Sequence, residues 1–136
     1  GYVVVNGGKG GIMLAVSKGA KSQKGIVAAE TSGLDRFTSN EFVDVEIVTG
    51  DVGFRGPSQL IGMSDTVISL GGGAGTLQEI CVAYRMEKPI ILISGFGGWT
   101  DKLKDLEYLD ERRLVRFQVA GSPEQAVKML NLRERK

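Results

Sequence analysis

Short apolar runs alternate with amphipathic stretches along the chain. Tyr2-Val3-Val4-Val5 is a valine-rich run that Asn6-Gly7-Gly8-Lys9-Gly10-Gly11 stops, the pattern of a strand entering a turn. Residues 12–22 carry Met13, Val16, Ser17 and Ala20 along one side, which predicts a helix. Gly25-Ile26-Val27-Ala28-Ala29 is the next expected strand, and polar residues 30–40 the loop after it. Val43-Asp44-Val45-Glu46-Ile47-Val48 alternates as a strand does, and Thr49-Gly50-Asp51 ends it. Pro57 suits a first helical turn, so a helix is expected from there to about Met63.

The second half repeats the alternation. Asp65-Thr66-Val67-Ile68-Ser69-Leu70 has the length and β-branched content of a buried strand, and Leu77, Ile80, Cys81 and Tyr84 then recur at helical spacing. Lys88-Pro89-Ile90-Ile91-Leu92-Ile93-Ser94 predicts another strand, with residues 95–99 as its terminal loop. Thr100-Asp101 is expected to cap a helix carrying Leu103 and Leu106, and Leu114-Val115-Arg116-Phe117-Gln118-Val119 to form an edge strand. Ser122-Pro123-Glu124-Gln125 has the cap, N1 proline and acidic residue of a final helix through Met129 and Leu130. Residues 133–136 are a charged tail. The whole predicts an α/β protein, one Rossmann-like domain over residues 1–136 with a parallel sheet between helices on both faces.

Glycine is the outlying residue, at 20 of 136, and it clusters at residues 7–11, 71–75 and 95–98, each time after a strand-like run. These positions are the carboxyl ends of the expected strands, where parallel sheets bind ligands. Around Leu70-Gly71-Gly72-Gly73-Ala74-Gly75-Thr76-Leu77-Gln78-Glu79, a strand feeds a helix through glycines. The first-turn N–H groups and the helix dipole there suit a phosphate. The structural alternative is a tight turn in which Thr76 caps the helix and Glu79 completes a capping box. The run is neither a Walker loop nor a dinucleotide fingerprint. Arg55, in the turn before the Pro57 helix, is placed to reach an anion.

Charge and composition narrow the chemistry. Seventeen basic residues against 16 acidic ones give no overall field for nucleic acid or an anionic membrane. No apolar run approaches the ~20 residues of a membrane span. With no histidine and only Cys81, imidazole bases, Cys/His zinc sites and internal disulfides are excluded, no metal site is expected, and acid–base work would fall to carboxylates. Cys81 is expected to be a small core residue, and one unpaired thiol suits a reducing, cytoplasmic setting.

Asn6-Gly7-Gly8 through Gly11-Ile12-Met13, Ala15-Val16-Ser17-Lys18-Gly19-Ala20, and Gly72-Gly73-Ala74-Gly75-Thr76-Leu77-Gln78-Glu79 together resemble the LOG family, once mislabelled lysine decarboxylases, within the SLOG superfamily. Thr49-Gly50, Gly97-Gly98-Trp99-Thr100-Asp101, Tyr108-Leu109-Asp110 and Ser122-Pro123-Glu124-Gln125-Ala126-Val127 bring it closest to the branch of molybdenum cofactor carrier proteins. The resemblance implies a Rossmann-like fold, usually dimeric, that binds a small phosphorylated molecule: a nucleotide or a molybdopterin-type cofactor. It places Gly7, Gly8, Gly11, Met13, Gly72, Gly73, Gly75 and Thr76 at the ligand. In the family's hydrolases, which release the base from nucleoside 5′-monophosphates, it makes Glu79 the catalytic carboxylate, with Arg55 beside it.

Three departures accompany the match. Gly56 stands where the family carries its arginine, with Arg55 one residue earlier, and Gly71 replaces a proline of the hydrolases. Ala28-Ala29-Glu30 replaces a strand ending in Leu-Pro. The changes at Gly71 and at Ala28-Ala29-Glu30 favour carrier over hydrolase. Family members also begin with a strand and helix ahead of the segment matching Gly1, so the resemblance implies that this chain is incomplete there or that a partner chain supplies the strand.

Overall fold

The computed structural model describes residues 1–50 and 56–130. The chain divides into two compact units, Gly1–Ser64 and Asp65–Lys136. Each holds a three-stranded, all-parallel sheet flanked by helices.

In the first unit, β1 (Val3–Asn6), α1 (Ile12–Ser22), β2 (Ile26–Thr31), β3 (Val45–Val48) and α2 (Gly56–Gly62) give the sheet order β1-β2-β3. The register pairs Val3 with Ile26 and Ala28 with Val45. Side chains alternate across a strand, so Asn6, Val27, Ala29 and Thr31 share one face. α1 packs on the strands that carry it, and Val27, Ala29 and Thr31 are buried. The opposite face carries Val3, Ile26, Val45 and Ile47, which are 54%, 53%, 49% and 37% exposed. β2 runs two residues past its expected end. Glu30, placed in a loop by its polarity, is buried there because its carboxylate accepts the Thr49 hydroxyl at 2.6 Å, joining the ends of β2 and β3.

The second unit contains β4 (Val67–Leu70), α3 (Ala74–Arg85), β5 (Ile90–Ile93), α4 (Gly98–Leu103), β6 (Gln118–Ala120) and α5 (Pro123–Lys128), in the order β4-β5-β6. β5 lies between the other two strands and is buried throughout. Ile91, Ile93, Ala120 and Ala126 form a core under α5, with Leu70, Met129 and Leu130 packed against it. α3 and α4 pack on β4 and β5. Ile80, Ala83 and Tyr84 are the buried residues of α3, and a fully buried isoleucine contributes about 1.5–3 kcal/mol. Cys81, beside that stripe, is only half-buried.

Two boundaries in the second unit, those of β6 and α4, also differ from expectation. β6 begins at Gln118 because the residues before it are held elsewhere. Tyr84 Oη accepts from the Leu114 N–H at 3.0 Å and donates to Asp110 Oδ1 at 3.0 Å, while the Phe117 N–H donates to Glu107 O. The Phe117 ring meets Tyr84 edge-on at 6.3 Å. α4 begins at Gly98, ahead of Thr100-Asp101, with Gly97 as its N-cap. The expected final helix is present: Ser122 Oγ caps α5 by accepting the Gln125 N–H, with Pro123 in the first turn.

Candidate functional site

The glycine turn of the second unit is built from backbone. Gly71 and Gly72 take φ of 59° and 85°, a left-handed pair that reverses the chain between β4 and α3 and favours glycine at both positions. A Cβ on Gly72 would collide with the Thr76 side chain, which lies directly over it. Gly73 is the N-cap of α3 and has no side-chain bond. The capping box expected of Thr76 and Glu79 is therefore not formed. The helix starts earlier than that motif requires, and Thr76 falls at its third residue, packed on Gly72.

A second loop locks this turn. The N–H groups of Trp99 and Thr100 donate to Gly72 O and Gly71 O at 3.0 and 3.2 Å, and the Thr100 hydroxyl adds a 2.9 Å bond to Gly71 O. So close an approach leaves no room for a side chain at Gly98, whose Cβ would fall inside the Gly71 and Gly72 carbonyls. Asp101 closes the locking loop by accepting from the N–H groups of Gly95, at 2.8 Å, and Gly97. Those two bonds hold its carboxyl below the ordinary aspartate range, against burial and with help from Lys104.

The turn's carbonyls are thus engaged inward. Gly73, Ala74 and Gly75 are exposed, and a Cβ on Gly73 or Gly75 would meet nothing within 4 Å. The open side offers backbone at the start of a 12-residue helix, whose first N–H groups have no partner within the helix. An anion is the complement of such a surface. Glu79 follows on the same helix, half-buried, one turn past Thr76.

The glycine turn of the first unit is held by a side chain. Asn6 Oδ1 accepts from the Gly8 N–H at 2.7 Å, while its Nδ2 donates to Ser17 Oγ at 3.1 Å and to Met13 O at 3.4 Å. One residue fixes both the turn and the helix after it. Gly7 sits under Met13, and Gly8, at φ 67°, lies against Ala29 and Ser39, where a Cβ would come within 2.7 Å of the Ala29 methyl. Gly11 is the N-cap of α1.

The structure therefore gathers Gly72, Gly73, Gly75 and Thr76 at one turn and Gly7, Gly8, Gly11 and Met13 at another, each in its own unit. Arg55 lies outside the described residues. Sequence reasoning missed Asn6 and Thr100. An Asn before paired glycines signals a turn whose side chain bonds its own backbone, so Asn6 was discoverable. Thr100 had no signal, since its partner Gly71 is distant in sequence. Among the described residues, no cluster of Asp, Glu or Cys has the makings of a metal site, and no helix is long and apolar enough to cross a membrane.

Solved structures share this fold. The chain superposes on the X-ray structure of the structural-genomics target TM1055 with a TM-score of 0.87 at 38% identity, covering 94% of this chain and 76% of that one. The molybdenum cofactor binding protein of the phototrophic bacterium Rippkaea orientalis gives a TM-score of 0.78 at 29% identity, over 93% of this chain and 74% of that one. The molybdenum cofactor carrier protein of Chlamydomonas reinhardtii gives 0.77 at 31%, over 94% and 74%. An uncharacterized protein of Archaeoglobus fulgidus is 41% identical over 90 residues, 66% of this chain and 58% of that relative's length. The model of the SLOG cluster4 family matches residues 1–127, and with this Rossmann-like fold and these glycine turns the chain belongs to that family.

Proposed function

We propose that the chain binds a phosphorylated small molecule of the nucleotide or molybdenum cofactor class and acts as a carrier, with the phosphate seated on residues 72–76. One observation carries this reading: the turn's carbonyls are tied to α4 while Gly73 and Gly75 are exposed and, among the described residues, have open space where a Cβ would stand, leaving N–H groups as the open surface. A phosphate bound there needs no lysine. Such a surface fits the phosphate of a molybdenum cofactor, and the Rippkaea and Chlamydomonas neighbours support that class of ligand. A carrier needs affinity alone, whereas a hydrolase also needs Glu79 placed at the bond it breaks.

Equilibrium titration with AMP and with isolated molybdenum cofactor tests the proposal, using wild type and Gly75→Asp. Asp at that position meets open space and suits a helix start, so the variant should fold. Its carboxylate occupies the phosphate's place. Saturable binding in wild type and its loss in the variant are expected; equal binding by both would move the site elsewhere. Free adenine is followed in the AMP titration. Its release, abolished by Glu79→Gln, would make the protein a phosphoribohydrolase and overturn the carrier reading.

A further inference from the structure

The loop that locks the glycine turn carries the single tryptophan of the chain. In Gly95-Phe96-Gly97-Gly98-Trp99 the only side chains are aromatic. Phe96 is 54% exposed, and Trp99 is half-buried with its own N–H bonded to Gly72 O. Lys102 Nζ lies over one face of the indole, 4.6 Å from its centre, and brings positive charge to that face. Glycines set φ of 96°, 72° and 65° at 95, 97 and 98, and Asp101 bonds the loop closed. The backbone of Trp99 is thus one hydrogen bond from the turn, and Phe96 lies in the loop that Asp101 closes.

We propose that residues 96–102 form the ring-binding element of the site, taking a flat conjugated heterocycle, a purine or a pterin, against the indole of Trp99 with Phe96 beside it. The assignment rests on the phosphate seat proposed above and adds to it the class of group at the other end of the ligand. Every such ring has a π-face, so stacking raises affinity whatever its edge carries, typically by about tenfold or more per ring. Lys102 meets the negative charge the ligand brings.

Trp99 is its own reporter. Its emission is followed in wild type and Phe96→Ser, while the affinities of these two and of Trp99→Leu and Trp99→Phe for ribose 5-phosphate, AMP, and the phosphate ester of hydroxymethylpterin are read by calorimetry. In wild type, one or both ring-bearing ligands should quench the emission and bind about tenfold more tightly than ribose 5-phosphate; whichever does so identifies the ring. Trp99→Leu should erase that preference and leave ribose 5-phosphate binding unchanged, whereas Trp99→Phe should keep most of it. Phe96→Ser, at an exposed position, should weaken only the ring-bearing ligands. Equal affinity of all three ligands for wild type, or a preference that survives Trp99→Leu, would overturn the ring assignment while sparing the phosphate seat. No binding of any phosphate compound would remove the seat, and this inference with it.

Discussion

The hydroxyl of Thr100 donates to the carbonyl of Gly71 at 2.9 Å. A hydroxyl has one proton, so in the 2.6 Å bond between Thr100 and Ser69 the donor must be Ser69. Both side chains are buried, and through one oxygen the glycine turn is tied to β4 and α4. Thr100→Val keeps the shape and strands the Ser69 donor. It should lower stability in urea by about 1–3 kcal/mol, the penalty of a buried group left unpaired. Adding Ser69→Ala should recover part of that loss; strictly additive losses would show that the two hydroxyls do not act together.

Gly72→Ala should be among the worst single changes in the second unit. Its φ of 85° strains any other residue by about 1–3 kcal/mol, and the new methyl would also displace Thr76. Adding Thr76→Ala should relieve only part of the collision, because the Cβ that alanine keeps would lie 2.4 Å from the new methyl, and should leave the backbone strain. Denaturation midpoints of the two single variants and the double variant measure both parts, and an unchanged midpoint for Gly72→Ala would contradict the turn as described.

Asn6→Asp separates the two jobs of Asn6. The carboxylate still accepts the Gly8 N–H, and the buried Ser17 hydroxyl can turn to donate to it, but Met13 O loses its donor and faces a second acceptor. A loss of about 1 kcal/mol is expected. Asn6→Leu, which removes the acceptor too, should lose more. Chemical denaturation of both variants checks the order.

Acid should loosen the loop of the first unit before the strands melt. Glu46 accepts the N–H groups of Phe37, Thr38 and Ser39. Burial pushes its carboxyl up, but those bonds outweigh it and hold the group below the ordinary glutamate value of 4.5. Asp44 is held low in the same way, chiefly by Lys21 and then by the Val27 N–H. A depressed carboxyl adds stability that is fully present above its unfolded value and is lost as pH falls through the folded one. The protection of the amides of residues 37–39, relative to their intrinsic exchange rates, should therefore be full near pH 6 and fall at pH values below the ordinary glutamate value of 4.5, and Glu46→Gln should flatten that dependence. Protection that survives at pH 3 would show that Glu46 is not what holds the loop.

What the sequence made legible follows from how local each cause is. The order of strands and helices and the Ser122 cap were readable because periodicity, proline and capping act within a few residues. The start of α3 was misjudged because Thr76 and Glu79 satisfy a capping motif by spacing, while Gly73, with no side chain to signal it, takes the cap. The lock on the turn was illegible for a different reason. Gly71 and Thr100 meet only when β4, β5 and α4 are assembled. The positions of the glycines were visible at once; the carbonyls they turn inward were not.

The bare face of the first sheet should also leave a calorimetric mark. The heat capacity of unfolding scales with apolar area newly wetted, about 0.45 cal/K/mol for each Å². Val3, Ile26, Val45 and Ile47 are already partly wet before any unfolding and add correspondingly less to it than fully buried residues would. The first sheet should therefore expose less new apolar surface on unfolding than a sheet buried on both faces, and scanning calorimetry should show a correspondingly smaller heat-capacity step.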